Sequence, residues 1–497
     1  MNGGGQIGST SCLFPGRDER RAWEDFLTSA LAEALERVSD GAVGPDLDLA
    51  SLQQELDDFD FQTPQALSSL LPWVIDKLEH GVVHMTHRRY FGLFNPSPSF
   101  PAECAERIVA AFNPQLASAT TSPAAVAIEA HLIRAVGRRA GFADDCAGHF
   151  TTGGSEANFT ALICALTRAD PRYGLDGIRA FAGPPVVYVS EDAHTAWLKI
   201  AHQAGIGRSG LRLVGMDGAG RMDLGALRDA IAADRALGRV PVMVAGTAGT
   251  TGAGMVDPLA GCAAISQEAG AWFHVDAAWG GALIASDRAA AAIAGIELAD
   301  SATIDAHKWF ATTMACGMFL TRHADILPKA FYAMAAFMPP NAGQADPYVT
   351  TVQWSRRFLG LRLFVSLAAA GWSGFAEHVE RSIRLTELLR TEMIARGWST
   401  ANESPLGVLC LHPPPGYPDA RSIVRRVVVS NRAWIACATI RGREVVRVCV
   451  TNGQTRAADI LALADLLQEQ ADTKMLDFDE PHSAVQKGPG NDDARRL

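Results

Sequence analysis

Four short stretches of the chain carry residue types that could do chemistry together. In TTGGSEANFTALICAL (151–166), Gly153, Gly154 and Ser155 stand directly before a helical apolar pattern that includes Phe159, Leu162 and Leu166. Free backbone N–H groups and a hydroxyl then gather at a helix N-terminus, where an anion such as a phosphate is stabilised. The same residues also suit an ordinary loop with a capping serine. They form neither a P-loop, since no GKS or GKT follows, nor a GxGxxG dinucleotide turn. In HVDAAWGG (274–281), Asp276 closes an apolar run, so its carboxylate is expected to be buried at the carboxyl edge of a strand and to need a partner. A structural Asp–Arg pair would meet that need as well. In ADSATIDAHKWFATT (299–313), Lys308 ends a β-rich run between His307 and the aromatic Trp309 and Phe310. Such a lysine either flanks the surface, its stem lying along the rings, or is a nucleophilic amine activated by its surroundings. In SEDAHTAWLKI (190–200), His194 starts a helix after a strand; taken alone it is an ordinary surface or core histidine.

Taken together the four stretches say more than each does singly. A phosphate cradle, a buried aspartate about thirty residues before a lysine, and a histidine on the same rim are what pyridoxal phosphate requires. The lysine forms the Schiff base, the aspartate keeps the pyridine nitrogen protonated so that the ring can draw electrons, and helix N–H groups grip the phosphate. A charge-assisted bond of the aspartate–pyridinium kind contributes on the order of 1.5 to 3 kcal/mol.

The elements around these residues suit that task. Strand-like runs at 186–190, 211–214, 240–247, 272–277, 301–305 and 316–321 alternate mostly with helical stretches, among them 122–141 with Ser122 as cap and Pro123 at the first helical position. Apolar strands alternating with helices predict an α/β layer with a largely parallel sheet, whose ligands sit beyond the carboxyl ends of the strands. A long helical pattern over roughly 356–396 leads to a smaller α+β part, with strands at 408–412, 434–440 and 445–450, a helix near 420–429 and another at 455–470 bearing Ile460, Leu463 and Leu467 on one face. Amphipathic stretches near 22–38 and 64–79, the second interrupted by Pro72, form an N-terminal helical segment too short for its own core. The expected division is a flexible start (1–20), the N-terminal segment (21–100), a large cofactor-binding α/β domain (101–385), a small C-terminal α+β domain (386–475) and a loose polar tail (476–497).

Composition narrows the class of function. Of 497 residues, 48% are apolar and 20% charged, enough to bury large cores and too apolar for a disordered or fibrous chain. The net charge of −10 has the wrong sign for broad attraction to nucleic acid or anionic membrane, so neither is expected as a partner. Nine cysteines, none in a CxxC pair, suit free thiols in a reducing cytosol better than disulfides or a metal site. No apolar run approaches a membrane span and the start MNGGGQIGST lacks signal-peptide character, so a soluble, cytoplasmic protein is expected.

HVDAAWGG followed by DSATIDAHKW, with GGSEAN and EDAHTAW upstream, resembles the group II pyridoxal-phosphate decarboxylases, the family of aromatic amino acid, glutamate and cysteine sulfinate decarboxylases, over about residues 60–470. The resemblance implies the type I, aspartate-aminotransferase-like fold, pyridoxal 5'-phosphate as cofactor, and a homodimer whose N-terminal segment packs on the partner subunit. It implies that Lys308 is the Schiff-base lysine, Asp276 the pyridinium partner and His194 the ring stacked on the cofactor. Gly154 and Ser155 match the phosphate grip, Thr247 and Ala278 the cofactor lining, and His307 the histidine beside the lysine. Arg447, in VVRVCVTN, matches an arginine near the active site where a substrate carboxylate could be held; a structural ion pair is the other reading. Leu93, Phe94 and Asn95, in RRYFGLFNPSPSFP (88–101), match the pocket segment and favour an apolar or aromatic L-amino acid.

Two positions depart from the family pattern. Asp305 stands where asparagine is common, and since an acid repels a phosphate it is left out of the phosphate site. Phe337, in AFYAMAAFMPPN (330–341), takes the place of the tyrosine that returns a proton to carbon after CO2 leaves; Tyr332 and Tyr348 are phenols nearby in sequence. In relatives phenylalanine there goes with oxidative deamination to an aldehyde. The expected reaction is decarboxylation to the amine, with aldehyde formation as the alternative. An aminotransferase and a non-catalytic cofactor-binding protein are the remaining rivals.

Overall fold

The computed structural model describes residues 12–95, 97–333 and 346–473. Phe337 lies outside them.

Seven strands form the central sheet: β1 (Ala147–Thr151), β2 (Pro185–Ser190), β3 (Leu211–Val214), β4 (Val240–Thr247), β5 (Trp272–Asp276), β6 (Ser301–Asp305) and β7 (Gly317–Thr321). Their order is β1-β7-β6-β5-β4-β2-β3. The pairs β2–β3, β2–β4, β4–β5 and β5–β6 are parallel, and only β7 runs against its neighbours. Every residue of β2, β5 and β6 is buried, as helices on both faces demand, the polar ones at the site included. β1, with the sequence AGHFT, is absent from the strands expected above: two small residues and a histidine hide the pattern, and five ladder pairs with β7 supply what local propensity lacks.

Three helices, α1 (Arg17–Asp40), α2 (Leu49–Asp57) and α3 (Leu67–Gly81, with Pro72 inside), precede the sheet domain and bury almost nothing of their own; α2 and α3 have no buried residue. α4 (Phe100–Phe112) and α5 (Pro123–Arg139) follow. α5 begins on Pro123, but Ser122 does not cap it: its hydroxyl donates to the Gln115 carbonyl at 2.7 Å instead. α6 (Gly154–Ala169) leaves β1 after two residues and buries Leu162 and Leu166, whereas Phe159 is only partly covered.

The long helix Leu361–Ala395 is broken at Gly371, whose φ of 65° and ψ of 174° only glycine adopts without strain. Its first half gives Leu363 and Phe375 to the core of the large sheet, and its last turns give Leu385, Leu389 and Met393 to a second core. That second core lies on an antiparallel sheet of order β10-β11-β9-β8, built from β8 (Ser399–Thr400), β9 (Val408–His412), β10 (Ala436–Ile440) and β11 (Arg443–Cys449). Helices Ala420–Val429 and Ala457–Asp472 cover it, with Ile460, Leu463 and Leu467 buried as their spacing predicts. No described helix is long and apolar enough to cross a membrane.

Candidate active site

The register of the large sheet places chemistry at one edge. Thr247 ends β4 and pairs with Asp276, which ends β5 and pairs with Thr303 of β6; Asp305 closes β6 and Lys308 follows in the next turn. The loop after β2 carries His194 to the same rim. These carboxyl ends open into a cavity of about 310 Å³ whose wall includes Phe94, Gly154, Ser155, His194, Thr247, Asp276, Ala278, Asp305, His307 and Lys308.

The leading N–H groups of α6, at Gly154 and Ser155, have no carbonyl partner within the helix and face anions favourably. A Cβ on Gly154 would stand 2.9 Å from Asp305 Oδ2 and 3.1 Å from the Ala278 methyl, so glycine keeps this mouth open. Asp276 is 5% exposed; its Oδ2 accepts from Asn158 Nδ2 at 2.8 Å and its Oδ1 from the Ala278 N–H at 3.2 Å. Behind it, His274 is fully buried, and burial pushes that imidazole down to about 4, so it is neutral at physiological pH. His194 accepts the Ala196 N–H at Nδ1 (3.1 Å), which leaves its proton on Nε2. His307 likewise accepts the Cys316 N–H at Nδ1 (3.2 Å). The Thr247 hydroxyl is buried without a partner among the described residues, while its N–H donates to Asp257 at 2.8 Å.

Asp305, left out of the phosphate site on sequence grounds, is 3% exposed on the cavity wall, with Oδ2 3.1 Å from Lys308 Nζ and 3.9 Å from His307 Nε2, and Oδ1 without a partner among the described residues. The amine three residues on is returned to the carboxylate by a turn that the Lys308 N–H closes on the Asp305 carbonyl at 3.2 Å.

Of the described residues expected to meet substrate, only Phe94 reaches the wall; it stacks on Trp279 at 4.3 Å, and Lys308 Nζ stands 6.0 Å from its centroid. Leu93 is 51% exposed, and Asn95 turns to the Met314 sulfur at 3.1 Å. Arg447 lies behind Phe94, 4.7 Å from the ring centroid, and among the described residues forms no ion pair: it donates to the carbonyls of Thr251 and Gly252 at 3.1 Å and of Gly92, while its buried Nη2 has no partner there. Sequence reasoning missed Asn158, His274 and Trp279. The first two carried a signal, since Asn158 is one turn beyond Ser155 and His274 shares a strand face with Asp276.

Pyridoxal phosphate, implied by the sequence resemblance, fits the residues present. An amine and a carboxylate share one cavity with a helix N-terminus kept open by glycine, and the orphaned Thr247 hydroxyl offers a further hydrogen bond. The Asp305 carboxylate works against an incoming phosphate, as does Glu156 in the first turn of α6 on the same wall.

Comparison with known proteins agrees. A family model described as the pyridoxal-dependent decarboxylase conserved domain matches residues 51–410. Tyrosine decarboxylase 2 of Narcissus pseudonarcissus is 27% identical over 428 residues, 82% of this chain and 85% of that protein. Phenylacetaldehyde synthase of Arabidopsis thaliana is 28% identical over 393 residues, 76% of this chain and 79% of its own length. The crystal structure of Oryza sativa TDC with PLP and tryptamine has the same fold, with a TM-score of 0.87 at 21% identity, covering 92% of this chain and 98% of that one.

Proposed function

Because the chain belongs to the pyridoxal-dependent decarboxylases, a family of lyases with the type I fold, we propose that it removes the α-carboxylate of an L-amino acid with an apolar or aromatic side chain as CO2 and releases the amine. The observation that carries this reading is the meeting of Lys308, Asp276 and the α6 N-terminus on the wall of one cavity. When bound there, pyridoxal phosphate supplies an aldehyde that condenses with amines and a ring that draws electrons from the bond that breaks. Lys308 is the amine that holds the aldehyde. Asp276, fixed by two donors, presents its carboxylate to the ring nitrogen. Gly154 and Ser155 hold the phosphate, His194 covers one ring face, and Thr247, Ala278 and His307 complete the lining.

Phe94 and Trp279 support the choice of substrate, since together they offer an aromatic wall beside the lysine. For Arg447 to hold a substrate carboxylate, as its place in the family pattern implies, the Phe94 ring 4.7 Å from it would have to move aside. The second reading, oxidative deamination to an aldehyde, is favoured by Phe337 in the place of the proton-donating tyrosine and by likeness to an aldehyde synthase. A panel of L-amino acids, read for CO2, amine, aldehyde and peroxide in one sample, tests both. CO2 with equal amine supports the first reading, CO2 with aldehyde and peroxide the second, and no CO2 from any substrate refutes both. Under the second, Phe337→Tyr should restore amine at the expense of peroxide.

A homodimer is part of the proposal. Leu35 on α1, Leu49 and Leu56 on α2, and Val74 and Leu78 on α3 leave large apolar side chains exposed on a segment with no core of its own. All nine cysteines are free, which supports the cytoplasm as the setting.

A further inference from the structure

We propose that His274 is a positioning residue for Asp276, the central link of a one-way hydrogen-bond chain, Trp272–Ser301–His274–Asn158, that delivers a donor to the carboxylate and fixes its face toward the cavity. The inference rests on the reading of Asp276 as partner of the cofactor's ring nitrogen.

Both ends of the chain dictate its direction. The Trp272 indole can only donate, and its Nε1 is 2.8 Å from Ser301 Oγ. At the other end the Asp276 carboxylate only accepts, so Asn158 must turn Nδ2 toward it, at 2.8 Å, and Oδ1 away. That Oδ1 lies 3.0 Å from His274 Nε2, which therefore carries the ring proton. A neutral imidazole then has a lone pair on Nδ1, and Ser301 Oγ, 2.8 Å away, donates to it. Thr303 Oγ1, 3.4 Å from Nε2, is a weaker second acceptor for the same proton. Each bond polarises the next in the same sense, toward the carboxylate, in a site shielded from water. Sheet geometry makes this possible: His274 and Asp276 point to one face of β5, and Ser301 and Thr303 stand opposite them on β6. Of the four links, only Asn158 touches the cavity. The chain thus acts through Asp276, not on substrate.

The test compares dissociation constants for pyridoxal phosphate and its 1-deaza analogue, in which carbon replaces the ring nitrogen; their ratio reports the Asp276 contact without any turnover. His274→Gln keeps a donor toward Asn158, whereas His274→Asn keeps only an acceptor toward Ser301. The chain predicts that His274→Asn lowers the preference for pyridoxal phosphate about tenfold, as loss of one buried hydrogen bond should, and that His274→Gln stays within about threefold of the wild type. Ser301→Ala, which deletes one hydroxyl, should lower the preference in the same sense and serves if His274→Asn does not fold. Equal weakening of both ligands, or no change, in His274→Asn and Ser301→Ala overturns the proposal while Asp276→Ala still abolishes the preference. If Asp276→Ala also leaves the preference intact, the reading of Asp276 itself is overturned, and this inference with it.

Discussion

Replacing Asp305 by asparagine should tighten cofactor binding. The side chain is 3% exposed on the cavity wall and within reach of the phosphate cradle, since a Cβ on Gly154 would stand 2.9 Å from its Oδ2. Unit charges ~6 Å apart repel by about 3 kcal/mol at an effective dielectric near ~20. The dipole of α6 and nearby donors offset part of this; if half remains, about 1.5 kcal/mol opposes the phosphate. The contact between Asp305 and Lys308 Nζ, 3.1 Å, works in the same direction, because it stabilises the cofactor-free chain and is given up when the amine is engaged. Asp305→Asn should therefore bind pyridoxal phosphate about tenfold more tightly or better, while the cofactor-free protein loses about 1 to 3 kcal/mol of stability with the largely buried ion pair. Titrating the cofactor-free protein by fluorescence quenching, with a thermal melt of the same sample, reads both quantities. Equal or weaker cofactor affinity in the variant would refute the reasoning and make Asp305 a partner of the cofactor instead of an obstacle to it.

Gly154→Ala should raise the dissociation constant for pyridoxal phosphate at least about tenfold, because its methyl would crowd Asp305 and Ala278 in the cradle, at 2.9 and 3.1 Å; unchanged affinity in the titration would remove this residue from the phosphate site. Acidification should destabilise the fold from pH 6.5 downward. Burial lowers His87, His274 and His378 to about 4 and His149 to about 3, so the unfolded chain takes up protons near 6.5 that the native one refuses until pH 4 or below; the stability these groups contribute is present above 6.5 and lost as pH falls through their folded values. Asp257, raised to about 6 by burial, acts oppositely, its contribution being present below 3.8 and lost as pH rises through 6. From these groups unfolding near pH 5 should take up about three protons net, and denaturant midpoints that rise between pH 6.5 and 5 would contradict the assignment.

The large sheet was legible because its strands are short β-rich runs set between helical stretches: Leu211–Val214, Val240–Thr247 and Ser301–Asp305 stand where their residues predict. β1 was not, since its place is set by pairing with β7 rather than by its own AGHFT. Nor was the break at Gly371, because an isolated glycine in a helical pattern does not announce a positive φ. At the site, residue type and order located the lysine, the aspartate and the helix N-terminus. What sequence order could not give was the partner of each group. Asp305 was judged by what it would repel, and sequence order alone did not show that the Lys308 amine stands beside it. Arg447 was weighed as an ion pair, yet its partners are three backbone carbonyls, which no residue type reveals. Leu93 and Asn95 flank Phe94 in sequence but not at the cavity, since a turn at 92–94 sends neighbouring side chains to different surroundings.

The central claim is that the Lys308 amine carries the cofactor. Protein loaded with pyridoxal phosphate, treated with borohydride, digested and mapped by mass spectrometry tests it most directly. The account predicts a phosphopyridoxyl group on Lys308, absent from Lys308→Ala; a label confined to another lysine, or none at all, would contradict it.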